Sequence, residues 1–180
     1  MNLYLLRHAN AGTRRANPIL DTRRPLDREG KQQCLQLAHI LNALKISFDL
    51  VISSPLKRSL QTAQLVATET GFEAQVQLSP ALAPAATVAD FHKLLAEIHG
   101  RENVLVVGHS PNLQQFVGSL LAPPRAAASA IPRIRMRKGA LARISIGGPA
   151  PVLLGLLDPR VVRSLYATST KSSRRKTSRK

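Results

Sequence analysis

Arg7 and His8 directly follow the apolar run Leu3-Tyr4-Leu5-Leu6, so a buried strand ends in a guanidinium and an imidazole within the first ten residues. The same pattern returns where Val104-Leu105-Val106-Val107 runs into Gly108-His109-Ser110-Pro111. A third run, Leu50-Val51-Ile52, ends in Ser53-Ser54-Pro55, with Arg58 just beyond. Gathered at one place, two imidazoles and two guanidiniums would suit a phosphoryl group. Such a group carries about two negative charges and three equatorial oxygens, and its transfer depends mainly on positioning and charge stabilisation. A guanidinium offers a planar fork matched to those oxygens. A neutral imidazole can attack phosphorus itself, and nearby arginines favour the neutral form. A second imidazole, if protonated, would stabilise the oxygens in transfer.

Each of these signals is weak alone, and the other candidates are weaker. Gly108-His109-Ser110 lacks the Gly-x-Ser-x-Gly spacing of a hydrolase elbow, so a capping role is the better reading of Ser110. His39, His92 and His99 stand on expected helices or their ends and read as solvent-facing or structural. Cys34 shares a helical face with Leu37, Ala38 and Leu41, which argues for core packing. As the single cysteine it excludes an internal disulfide. No His/Asp/Glu spacing suggests a metal site, and no Gly-rich Walker loop is present, so neither metal nor nucleotide cofactor is expected.

The elements that must position these groups follow from periodicity and turn chemistry. Buried strands are expected at residues 2–7, 49–53 and 103–108, a short one at 75–78, and two more at 140–146 and 152–156. Ile134-Arg135-Met136-Arg137 alternates and reads as a half-exposed strand. Asp27 should cap a helix to about Leu44, and Thr87 one through Ile98. Ser54-Pro55 and Ser110-Pro111 read as cap and first residue of helices reaching about Thr70 and Leu121. Residues 10–25 look like an arginine-rich loop, and Pro123 to Pro132 like a mobile Ala/Pro connection. Alternating strands and helices predict an α/β fold: three layers, α/β/α, a mostly parallel sheet with helices on both faces. Ligands then collect beyond the carboxyl ends of the strands, where His8, Arg58 and His109 all fall.

The chain has 180 residues, 44% of them hydrophobic, enough for one domain with a real core. Its net charge is +16, and six cations fall in the last ten positions. Beyond about Leu165 the Ser, Thr, Lys and Arg composition predicts disorder, giving a domain over 1–165 and a basic tail over 166–180. A basic body suits acidic or phosphorylated partners. Nucleic-acid binding is the weaker reading, since two Tyr and four Phe leave little for base stacking. No segment approaches the roughly 18 apolar residues of a membrane span, so the expected location is cytoplasmic and membrane association is not expected. A compact monomer is the simplest expectation.

Four segments carry a resemblance: Leu5-Leu6-Arg7-His8-Ala9; Arg24-Pro25-Leu26-Asp27-Arg28-Glu29-Gly30; Ser53-Ser54-Pro55-Leu56-Lys57-Arg58-Ser59-Leu60-Gln61-Thr62-Ala63; and Val106-Val107-Gly108-His109-Ser110-Pro111. In this order they resemble the histidine phosphatase superfamily, and most the short SixA-type phosphohistidine phosphatases. Lys138-Gly139-Ala140-Leu141-Ala142-Arg143 fits that branch too, and the likeness spans roughly residues 2–158. The resemblance implies a phosphoglycerate mutase-like fold. It implies His8 as the nucleophile that becomes phosphorylated, Arg7 and Arg58 as a phosphate clamp, and His109 as its completing and transition-state-stabilising member. It also implies Arg24 and Ser110 among the substrate-binding positions, and leaves Lys57 peripheral.

Two departures matter. Ala9 stands where many members have glycine, so negative φ is expected there. Pro80-Ala81-Leu82-Ala83-Pro84 holds no carboxylic acid, where larger members place a glutamate proton donor. An alkoxide leaves poorly, and a general acid commonly contributes 10²–10⁴-fold to its departure. The imidazole of a phosphohistidine leaves as a neutral ring once its other nitrogen carries a proton. The expected activity is therefore hydrolysis of phosphohistidine on a protein, such as a histidine phosphotransfer domain. The alternatives are a small phosphorylated substrate in the same pocket, or polyanion binding through the tail.

Overall fold

The computed structural model describes residues 1–123 and 130–177. The expected mobile connection falls largely on 124–129, and the end of the tail on 178–180, outside the described residues. Six strands form one sheet: β1 (Asn2–Arg7), β2 (Leu50–Ser53), β3 (Gln77–Leu78), β4 (Asn103–Gly108), β5 (Leu141–Ser145) and β6 (Val152–Leu157). Their order is β3-β2-β4-β1-β5-β6. The β1/β4, β2/β4 and β2/β3 pairs are parallel, whereas β5 and β6 run antiparallel. The register sets Arg7 opposite Gly108 and Ser53 opposite Val107. Three parallel strands thus end level with one another, and the residues just past them share one rim.

Side chains on a strand alternate between faces, and each face has its own core. Leu3, Leu5, Ile52, Val104 and Val106 pack with Phe91 and Leu94 of α4 (Val88–Glu97) and with Leu113, Phe116 and Val117 of α5 (Asn112–Leu121). Tyr4, Leu6, Val51, Leu105 and Val107 pack on the other side. Their partners are Cys34, Leu37 and Leu41 of α2 (Arg28–Ala43), and Ala63, Val66 and Ala67 of α3 (Lys57–Glu69). Val162 of α6 (Pro159–Thr177) joins that second core. The fold is therefore the three-layer arrangement expected. Cys34 is buried, and its burial pushes the thiol up to about 12, which suits packing and not nucleophilic chemistry.

Two caps hold as expected. Asp27 Oδ1 accepts from the Gly30 N–H at 2.7 Å, and Thr87 and Asp90 form a reciprocal capping box. The other two do not. α3 starts after Leu56 and α5 after Pro111, neither with a side-chain cap. The hydroxyls of Ser54 and Ser110 lie short of the first turns, in the rim itself.

Two further expectations are corrected. Residues 134–137 form no strand. Their carbonyls are used by side chains instead: Gln114 Nε2 donates to Ile134 O at 2.9 Å, and Arg7 Nη1 to Met136 O at 2.8 Å. Inside the expected loop of residues 10–25 lies a short helix, α1 (Pro18–Thr22), capped by Asn17 Oδ1. α6 carries helix on to Thr177. The helix lies along α2, where the Tyr166 ring meets His39 edge-on at 5.1 Å.

Candidate active site

His8 follows β1, and its backbone N–H donates to Gly108 O at 2.9 Å, which extends the β1/β4 ladder by one residue. The Arg7 N–H donates to Ala140 O at 3.0 Å, and the Gly139 N–H approaches the carbonyls of Arg7 and His8 at 3.1 and 3.2 Å. Gly139 has φ of +80°, which explains a glycine in the Lys138-Gly139-Ala140 segment. His8 is thus held from both sides by backbone.

The His8 ring is oriented by its own loop. Nδ1 lies 2.8 Å from Ala9 O, and a carbonyl can only accept, so Nδ1 carries the proton. Nε2 is then the basic atom, and Arg58 Nε donates to it at 3.3 Å. Among the described residues, positive φ outside glycine occurs only at Lys45, so Ala9 sits in ordinary backbone as expected. The Ala9 N–H donates to Thr62 Oγ1 at 3.1 Å, and Thr62 Oγ1 donates to Arg58 O at 2.7 Å. That hydroxyl ties the histidine loop to the helix bearing the arginine.

The second imidazole is close. The His8 and His109 ring centroids are 5.0 Å apart. His109 Nε2 lies 2.8 Å from Ser54 Oγ, while its Nδ1 is buried without a hydrogen-bond partner. Arg7 Nε and Ser110 Oγ are also buried and unpaired. Unpaired buried polar atoms are costly. Three of them belong to residues at this rim and have hydrogen-bonding capacity that the protein itself leaves unused.

Electrostatics keeps both rings neutral. Burial, then the guanidiniums of Arg58 and Arg7 and the Lys138 ammonium, hold His8 down at about 3. Burial, His8, Arg58 and Arg7 hold His109 down at about 2. Burial likewise lowers Arg7 and Arg58. Between pH 6.5 and about 3 the unfolded chain therefore binds more protons at these positions than the folded one. Their contribution to stability is fully present above 6.5 and is lost as pH falls through that window. In ¹⁵N NMR of the free protein, neither ring should titrate between pH 7.5 and 5. Adding inorganic phosphate should supply the charge that lets His109 take up a proton. A resonance from either ring titrating near 6.5 without phosphate would contradict this electrostatic picture.

Arg24 sits at the edge. Its Nε pairs with Asp21 Oδ1 at 2.9 Å, and its Nη1 donates to Ala11 O at 2.7 Å. Asp21, on α1, was not legible in the sequence. Its carboxylate also meets Arg58 Nη1 at 3.4 Å, and its carbonyl accepts from the same nitrogen at 2.9 Å. The Arg15 backbone N–H, then Arg24 and Arg58, hold that carboxyl below the usual range, so it carries no proton at neutral pH. Ser54 and Thr62 stood in the quoted segments without these roles. Lys57 is exposed, as expected.

The structure thus brings His8, His109 and Arg58 together beyond the carboxyl ends of β1, β2 and β4, with Arg7 acting electrostatically on both rings and Arg24 reaching in through Asp21. A phosphoglycerate mutase-like sheet with such a rim defines a class of phosphoryl-transfer protein. Residues 3–86 match the histidine phosphatase superfamily (branch 1). An uncharacterized protein of Picosynechococcus sp. is 33% identical over 123 residues, spanning 67% of this chain and 73% of its own. Phosphohistidine phosphatase SixA of Escherichia coli is 27% identical over 141 residues, spanning 76% and 86%. The structure of the protein histidine phosphatase SixA complexed with tungstate superimposes with a TM-score of 0.77 at 22% identity, over 90% of this chain and 99% of that one. The chain belongs to the histidine phosphatase superfamily. It has the fold of SixA.

Proposed function

We propose that this phosphatase hydrolyses phosphohistidine on a protein, through a covalent phosphate on His8. The observation that carries the reading is the composition of the rim: two neutral imidazoles 5.0 Å apart between guanidiniums, with no protonated carboxylic acid among its described groups. His8 Nε2 attacks phosphorus with its lone pair. The P–N bond of the substrate breaks, and its electron pair returns to the leaving imidazole. That ring already holds a proton on its other nitrogen, so it departs neutral. Arg7 and Arg58 take the phosphate oxygens, and the unpaired Nδ1 of His109 donates to them once the dianion has raised its proton affinity. Water then attacks phospho-His8. Its proton leaves for solvent, phosphate is released, and His8 Nε2 regains its lone pair. Arg24 and Ser110 complete the oxygen contacts. The fitting location is the cytoplasm.

The same rim could serve a small phosphoester, since fold does not dictate substrate. An ester asks for a proton on its leaving oxygen, and Asp21 is ionised at neutral pH. We expect kcat/KM for a phosphohistidine protein to exceed that for sugar phosphates by about 10²-fold or more, the size of a missing general acid. Sugar phosphates turned over as well as phosphohistidine would replace this reading with a metabolite phosphatase.

A further inference from the structure

Beside the phosphate rim, α2, the 134–139 segment and the start of α6 enclose an open groove of about 700 Å³. Arg7 lines the groove as well as the rim, so the two adjoin. Its other cations are Arg135, Arg137, Lys138, Arg160 and Arg163, against one acid, Glu29. Glu29 is hydrogen-bonded to Asn10 Nδ2 at 2.7 Å, and Arg137 is paired with Asp158 at 3.2 Å. The guanidiniums of Arg135, Arg160 and Arg163 pair with no described acid. Lys138 bonds Asn10 Oδ1 at 3.0 Å and also acts on His8, so charge in the groove is felt at the nucleophile.

Small-molecule pockets are lined mainly by apolar and aromatic side chains. This groove is lined by cations and glutamine amides, with Met136 and Pro159 its apolar members. It holds no aromatic ring, which argues against stacked bases. Cations of one sign beside amides match an acidic polypeptide, held through charge and water.

We propose that this groove binds an acidic segment flanking the phosphohistidine of a protein substrate and so selects among phosphoproteins. The inference rests on the phosphohistidine reading and adds a determinant of specificity to it. It predicts attraction that weakens with salt, because exposed charges are screened over about 10 Å at 0.1 M.

The test uses two matched peptides, each bearing one phosphohistidine, one flanked by Glu and Asp and the other by Gln and Asn. Phosphoramidate, which carries no flank, serves as the small substrate. The full chain should prefer the acidic peptide at least tenfold in kcat/KM at low salt. The double variant Arg160→Glu, Arg163→Glu should abolish that preference and keep phosphoramidate turnover within twofold. Equal turnover of both peptides by the unaltered chain, or an undiminished preference in the variant, would overturn the groove assignment and leave the phosphohistidine reading standing. If neither peptide is hydrolysed while p-nitrophenyl phosphate is, that reading fails and the groove assignment with it. An oligoribonucleotide that inhibits more strongly than the unphosphorylated acidic peptide would assign the groove to nucleic acid and overturn the proposal.

Discussion

Replacing His8 with alanine is expected to lower kcat/KM on phosphohistidine protein by on the order of 10⁴–10⁶-fold, the scale on which covalent nucleophiles are lost. Nδ1 is tied to Ala9 O, so Nε2 is the one ring atom free to attack. A water molecule is a poor substitute for it, because the ionised Asp21 carboxylate is already engaged by Arg24 and Arg58. His8 is also buried, so alanine leaves a void. His8→Asn, closer in size and lacking the basic nitrogen, separates chemistry from folding. Both variants should be inactive, and the asparagine variant should keep the parent's thermal transition to within a few degrees. Activity within tenfold of the parent in a folded His8→Asn protein would make the ring structural.

Gly30→Ala should cost stability and activity together. A Cβ on Gly30 would meet the Asn10 carbonyl carbon at 2.8 Å and lie closer still to its oxygen. Both are backbone atoms, so no side chain can swing aside. Overpacking of this kind typically costs 1–3 kcal/mol and sometimes more. At about 2–4 °C per kcal/mol for a chain of this size, a fall in Tm of roughly 2–12 °C is expected. The strain lands on Asn10, directly after the residue whose carbonyl orients His8. Turnover should therefore fall even below the transition. Gly155→Ala is the control, because a Cβ there meets nothing within 4 Å. Equal melting of the two variants would show that α2 and the histidine loop can separate without cost.

Gly30 also illustrates what the sequence made legible. Glycine in Glu29-Gly30 stood in a recognisable segment with no visible reason, and the close approach of two chain segments supplies it. His8, Arg58 and His109 could be placed together beforehand because parallel strands end on one rim, and apolar runs mark where strands end. Asp21 could not. It lies in a polar stretch without periodicity, where a five-residue helix is fixed by the Asn17 cap and the arginines around it. Ser54 and Ser110 misled for a related reason. Ser-Pro is the usual opening of a helix, but α3 and α5 begin later, and in the rim the Ser54 hydroxyl meets His109. Alternation at 134–137 marked which side chains turn inward without telling that the segment's carbonyls are taken by Arg7 and Gln114 side chains.

The most direct measurement is a rapid quench of the full chain with ³²P-labelled phosphohistidine protein into alkali, where phosphoryl–nitrogen bonds survive, followed by peptide mass spectrometry. Label should appear on His8 within the first turnover, chase to inorganic phosphate, and be absent from His8→Asn. Turnover with no label on His8, or label on another residue that chases at the catalytic rate, would contradict the account.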